Sequence, residues 1–246
     1  MPDVSSGRAA RSGEVDARPS DPRARRQALL LYAVLLVLAA TGLAYELSLG
    51  AVESFLLGDP IVHFALIISG YMAALGLGAY LSSWVKHNLE QRFVDAAVAT
   101  AAVGGASAPA LYVVFGVQGP FRLVLYGSTL AIGTLVGLQV PLLMRILKRS
   151  ERFADVVARG FAFDYLGALA GSLGFSFLLM PTLGLVRTTI ALGLLNLAVA
   201  AYVMHMLGWA RAGMKLRAAL SVGVGVVLLG LWWAASDVEA ITERPL

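Results

Sequence analysis

Two carboxylates stand where carboxylates are expensive. Glu46, in "TGLAYELSLG", and Asp164, in "FAFDYLGALAGSLGFSF", each interrupt an otherwise apolar run. In a hydrocarbon environment such a group must face protein or water, and by default it marks a functional position. Two kinds of chemistry suit it. The acid can hold a cation or a proton, or it can be a hydrogen-bonded pin between helices, partnered by a neighbour such as Tyr45, Tyr165 or Gln139. The residue types allow both. Glu46 falls near the outer end of the first apolar run and Asp164 near the inner end of the fifth, so the two are expected at different depths and not in contact. Asp164 and Gln139 both fall toward the inner side and are expected within reach of each other. Glu53 is expected in the loop after the first run. Asp95 is expected at the inner end of the third, where it reaches the interface as a structural group.

Other chemistry is not encoded in any recognisable spacing. There are no cysteines, which excludes disulfides and thiolate metal sites. His63, His87 and His205 are too scattered for a metal motif. The glycine-rich stretches lie inside apolar runs, so their amides belong to helices and not to a phosphate loop. No nucleophile stands at a telling distance from a base. The expectation is therefore no catalytic residue, no metal and no cofactor in this chain, with Asn196 as an interhelical hydrogen-bonding group.

The elements that must position the acids are read from hydropathy. Of the 246 residues 59% are hydrophobic and 14% charged, against about a quarter charged in a soluble domain; mean hydropathy is +0.78. Seven apolar runs, at 28–49, 61–85, 93–115, 121–147, 161–181, 188–207 and 217–235, reach the length of a membrane span. Strands of a barrel would be shorter and would alternate. The predicted fold is thus an all-α integral membrane protein, a bundle of about seven transmembrane helices. Residues 1–27 are small, charged and turn-forming and read as a disordered cytoplasmic tail; 28–235 form the helical domain; 236–246 read as a polar tail or a linker to a further domain. "RARRQ" resembles the start of an export signal, but the run after it is long and more spans follow.

Basic residues set the orientation. With the amino terminus inside, the inner segments hold Arg23, Arg25, Arg26, Lys86, Arg92, Arg145, Lys148, Arg149, Arg152, Arg159, Arg211, Lys215 and Arg217, while the outer ones hold only Arg122, Arg187 and Arg244. That asymmetry predicts a cytoplasmic amino terminus and a multi-pass protein of the bacterial cytoplasmic membrane. It also explains the net charge of +4 without a nucleic-acid partner. Trp84, Trp209, Trp232 and Trp233 all fall at span ends, as an interfacial belt requires.

The glycines have a packing reading. Gly133 and Gly137, and likewise Gly167 and Gly171, are spaced G-x-x-x-G, which lets helix backbones approach closely. Pro141 is expected to kink the fourth span and free a carbonyl one turn back, with Gln139 beside it as the group to satisfy that carbonyl.

The stretches "GLAYELSLGAVESFLLGDPIVHFALIISGYMAALGLGAYLS", "GLQVPLLMRIL" and "FDYLGALAGSLGFSFLLMPTLGLVRTTIALGLLN" occur in this order over residues 40–200 or so. Together they resemble the amino-terminal multi-span membrane region of bacterial membrane-bound spermidine synthase-like proteins, the polyamine aminopropyltransferase family. Glu46, Asp59, Gly76, Gly78, Pro141, Asp164, Tyr165, Gly167 and Gly171 match that pattern; Gln139 departs from it, where a glutamate is common. The resemblance implies a membrane module that anchors, or supplies a small cation such as a polyamine to, an enzyme domain or partner that this chain does not contain. It implies a transferase family, not a transferase activity here. The residues alone leave two other readings open, a small transporter or channel-like protein using the acids and a structural subunit of a membrane complex.

Overall fold

The computed structural model describes residues 22–58, 60–148, 152–207 and 213–242. Asp59 and Trp209, and the tail and linker readings for residues 1–21 and 243–246, lie outside them. The described residues are helical: α1 (Pro22–Leu57), α2 (Pro60–Ser82), α3 (Leu89–Gly116), α4 (Phe121–Leu147), α5 (Phe153–Gly174), α6 (Met180–Leu207), α7 (Met214–Trp233) and α8 (Ala235–Thr242). Six helical stretches are long and apolar enough to cross a membrane.

The longest of these, Phe153–Met206, has 54 residues. Straight, it would measure about 80 Å, against ~30 Å of hydrocarbon. It folds back instead. After α5 a π-helical turn, Phe175–Leu179, carries the Met180 N–H to the Phe175 carbonyl. Pro181, next in line, has no N–H to continue the α pattern. The chain then reverses at Gly184, where φ is 72° and ψ −179°. A side chain is strained at that positive φ, so glycine is required. α5 and the returning limb of α6 make two passes, which brings the passes of the bundle to the seven of the hydropathy reading.

Contacts order the ends. Ala28 clusters with Val156 and Leu147, and Val34 with Phe93, Leu143, Met204 and Met214, while Leu49 and Val52 cluster with Tyr112, Phe121 and Val186. The start of α1 therefore lies at the same end as the α2–α3, α4–α5 and α6–α7 connections. Arg25, Lys86, Arg92, Arg145, Lys148, Arg152 and Lys215 gather there, and Arg122 and Arg187 lie at the far end. Two bonded pairs fasten the amino-terminal end. Arg217 of α7 grips Asp95 of α3 through two hydrogen bonds of 2.6 and 3.0 Å. Arg145 of α4 donates to the carbonyls of Ser82 and Val85 at 3.0 and 2.7 Å, capping the end of α2.

α1 is the centre, touching each of α2 to α6; α7 lies outside on α3 and α6. α1 also runs further than its apolar stretch, from Pro22 to Leu57. Glu53 therefore lies inside the helix and not in a loop, since helical hydrogen bonding continues past the apolar residues. Likewise α5 begins at Phe153 rather than at 161, and the stretch read as a polar tail holds α8, whose Val238 packs into the core.

The tightest contacts are made at glycine. A Cβ on Gly137 would collide with the Leu75 carbonyl, and one on Gly78 with the Thr134 carbonyl, which locks α2 to α4. A Cβ on Gly167 would strike the Leu36 carbonyl and one on Gly171 the Ala40 carbonyl, which locks α5 to α1 in parallel register. Replacing Gly171 by Leu is expected to lower stability by about 1–3 kcal/mol. By contrast Gly223→Ala, at a position with nothing within 4 Å of the new Cβ, should leave the melting temperature in detergent unchanged or raised. Equal melting temperatures for G171L and wild type would refute the close-contact reading.

Candidate functional site

The two glycine-locked pairs leave a gap between them. α5 holds to α1, does not approach α2, and meets α4 only marginally. The result is a cleft of about 600 Å³ with α1 as its floor, α2 and α4 as one wall and α5 as the other. Ala39, Gly42, Leu43, Leu75, Val136, Val140, Pro141 and Met144 are among its apolar lining. Its ionisable groups are Glu46 and Asp164, with the hydroxyls of Tyr71 and Tyr165.

Both acids thus line one cleft, at different depths and without touching. Asp164 stands one turn before Gly167, which packs on Leu36. It therefore lies level with about residue 33 of α1, some thirteen residues short of Glu46. At 1.5 Å per residue that is roughly 20 Å along the bundle. The surroundings differ too. Glu46 is 3% exposed, and its buried Oε2 has no partner among the described residues. Tyr71 lies within electrostatic reach of it and donates its own hydrogen to the Gly42 carbonyl at 2.8 Å. Asp164 is half-buried, and its sequence neighbours Phe161 and Tyr165 stack on each other with ring centres 6.1 Å apart. A buried acid with an unused oxygen is a strong acceptor for an ammonium or a proton, because the surrounding low dielectric screens little.

Two candidates stand elsewhere. Gln139 does not meet Asp164; it faces α3, where its Nε2 donates to Thr100 Oγ1 at 2.6 Å and to the Ala96 carbonyl at 3.4 Å. It does not satisfy the carbonyl freed by Pro141. The reason is rotational: Gln139 lies two residues before Pro141, on the opposite side of α4 from the cleft. Tyr45, next to Glu46 in sequence, is turned away from it by about 100°. It is fully buried, with its ring against Gly104 of α3 and its hydroxyl toward Asn196 of α6.

One polar cluster has no counterpart in the sequence reading. Glu53 is completely buried. Its Oε1 accepts from the Tyr126 hydroxyl at 3.0 Å and lies 2.9 Å from His63 Nδ1, so α1, α2 and α4 meet on one carboxylate at the far end. Spacing carries the signal for it. Glu53 is seven residues after Glu46, two helical turns, hence on the same face of α1.

Comparison with known proteins bears on what this bundle is. The chain is 45% identical over 229 residues to polyamine aminopropyltransferase 1 of Ralstonia nicotianae, covering 91% of this chain and 43% of that protein. It is 38% identical over 207 residues to the polyamine aminopropyltransferase of Leptospira interrogans (84% and 41%). It is 42% identical over 188 residues to that of Mycobacterium tuberculosis (73% and 36%). This chain is homologous to the amino-terminal region of polyamine aminopropyltransferases. It spans less than half the length of these relatives. No protein-family model matches it, and no solved structure does. The region shared with the Ralstonia polyamine aminopropyltransferase is long enough to take in most of the described helices.

Removing the Glu53 carboxylate would strand two partly buried polar partners. Glu53→Ala is expected to cost about 1–3 kcal/mol, read as a lowered melting temperature, with Glu53→Gln intermediate. A Glu53→Ala protein as stable as wild type would show that the cluster does not tie the helices.

Proposed function

We propose that this chain is the membrane module of a spermidine synthase-like protein, lying in the bacterial cytoplasmic membrane with its amino-terminal end inside. In this reading the bundle anchors an enzyme domain, carried on the same polypeptide or on a partner, and its cleft holds a small cationic ligand of the amine class for that domain. The observation that carries the ligand reading is the buried carboxylate of Glu46, which lines the cleft. An ammonium seated there would gain a charge-assisted hydrogen bond. Asp164, further along the same lining, would hold the amine on its way in or out. The membrane reading is supported by the outward faces of the helices, where Ile61, Leu66, Leu77, Leu130, Leu169 and Val222 are all exposed. So broad an apolar surface fits lipid better than water.

A second reading draws on the register of α1. Glu46 and Glu53 share one face, and with Asp164 they form a row of acids along the bundle. Rows of acids with a histidine mark proton and cation paths in transporters. Uptake of spermidine or protons into proteoliposomes, abolished by Glu46→Gln, would favour it over a holding site.

Binding tests the main reading. In lipid nanodiscs spermidine should stabilise the protein against heat, and Glu46→Gln should weaken its affinity on the order of 10-fold or more. Asp164→Asn should weaken it less. Spermidine binding unchanged in both variants would sink the site.

Orientation has its own test. The chain has no cysteine, so single substitutions report cleanly. Lys86→Cys should react with an impermeant maleimide only in opened cells, and Gln118→Cys in intact ones. The reverse pattern would overturn the topology.

A further inference from the structure

The cleft opens sideways, and this narrows its ligand. α5 stands away from α2 along the flank of the bundle, so the gap between them faces the surroundings at mid-height and not at either end. The rim residues Met72, Phe161 and Tyr165 are exposed, and they belong to helices whose neighbouring exposed positions, such as Ile68, Leu166 and Leu169, are apolar. In a bilayer that mouth meets acyl chains. Inside, apolar residues fill the distance between the two acids.

A hydrophilic polyamine fits this lining poorly. It would bring several ammonium groups, of which one can sit on Glu46 and another near Asp164. Any amine between them would be desolvated against Val136, Val140 and Met144 with no carboxylate to neutralise it. An alkyl stem meets no such penalty there. At roughly 1.2 Å per bond, by the reach of an extended chain, twelve carbons cover about 15 Å, most of the way from Glu46 to the level of Asp164. Since lipid is as apolar as the cleft, the hydrocarbon itself adds little selectivity; the ammonium on the buried carboxylate supplies it.

We infer that the cleft takes an amphiphilic amine, one cationic head with a hydrocarbon stem, directly from the bilayer, with the head on Glu46 and the stem along the α1 floor. The inference rests on the amine-holding role proposed above and specifies the class of amine and its route.

The test uses the full chain in phosphatidylcholine nanodiscs, with dodecylamine as the probe and native mass spectrometry counting the bound molecules. Saturable binding of one dodecylamine is expected, at least 10-fold tighter than spermidine. Dodecanol should not compete. Binding should be lost in Glu46→Gln and also in Ala168→Phe, which fills the cleft while leaving both acids, with melting temperatures confirming that each variant is folded. If spermidine binds in a Glu46-dependent way and dodecylamine neither binds nor competes, this inference is overturned while the general amine reading stands. If neither amine depends on Glu46, both fall. Equal competition by dodecanol would mean that the head group is not read, and would also overturn the inference.

Discussion

Everything in this bundle depends on how closely two pairs of helices can approach. Apolar side chains gain little by leaving lipid for protein, so helices inside a membrane are held by packing, hydrogen bonds and backbone proximity. α2 and α4 meet through Gly78 and Gly137, and α1 and α5 through Gly167 and Gly171. Each pair is fixed at a separation that no side chain would permit. α5 spends its contact surface on α1, and nothing pulls it across to α2. The cleft is the space left between two rigid pairs, and its acids sit in walls whose positions those glycines determine.

The same geometry sorts the polar groups of the interior. Gln139 with Thr100, and Glu53 with Tyr126 and His63, are cross-helix partnerships in closed parts of the bundle. Glu46 differs in place: it is a buried acid on the wall of an open space. Asp95 and Arg217, at the end of the bundle, form a bidentate pair that fixes α7 and lies apart from the cleft.

Much of this was legible in the residues. Hydropathy runs mark the slab of apolar surroundings, and they locate the helices well. They do not mark where a helix ends, which is why Glu53 looked like a loop residue while α1 continued for about two more turns, to Leu57. The different depths of Glu46 and Asp164 followed from their positions in oppositely placed halves of two outward runs. That both would face one cleft did not, because it depends on which side of α5 meets α1, and the glycines at 167 and 171 decide that only once their partners at Leu36 and Ala40 are known. The misplacement of Gln139 has the same origin. Depth along the bundle is a sum over sequence, whereas rotation about the helix axis is set by neighbours from distant parts of the chain.

The most enclosed helix is made before the helices that enclose it. α1 carries Thr41, Glu46, Ser48 and Glu53, all buried in the finished bundle. Thr41 and Ser48 bond to their own helix, but Glu53 waits for Tyr126, 73 residues downstream, and α5 arrives against α1 only after α2, α3 and α4. During synthesis α1 therefore leaves the ribosome with Glu53 unaccompanied until α2 and α4 follow. The order of assembly is imposed by the centre of the bundle, which is made early and completed late.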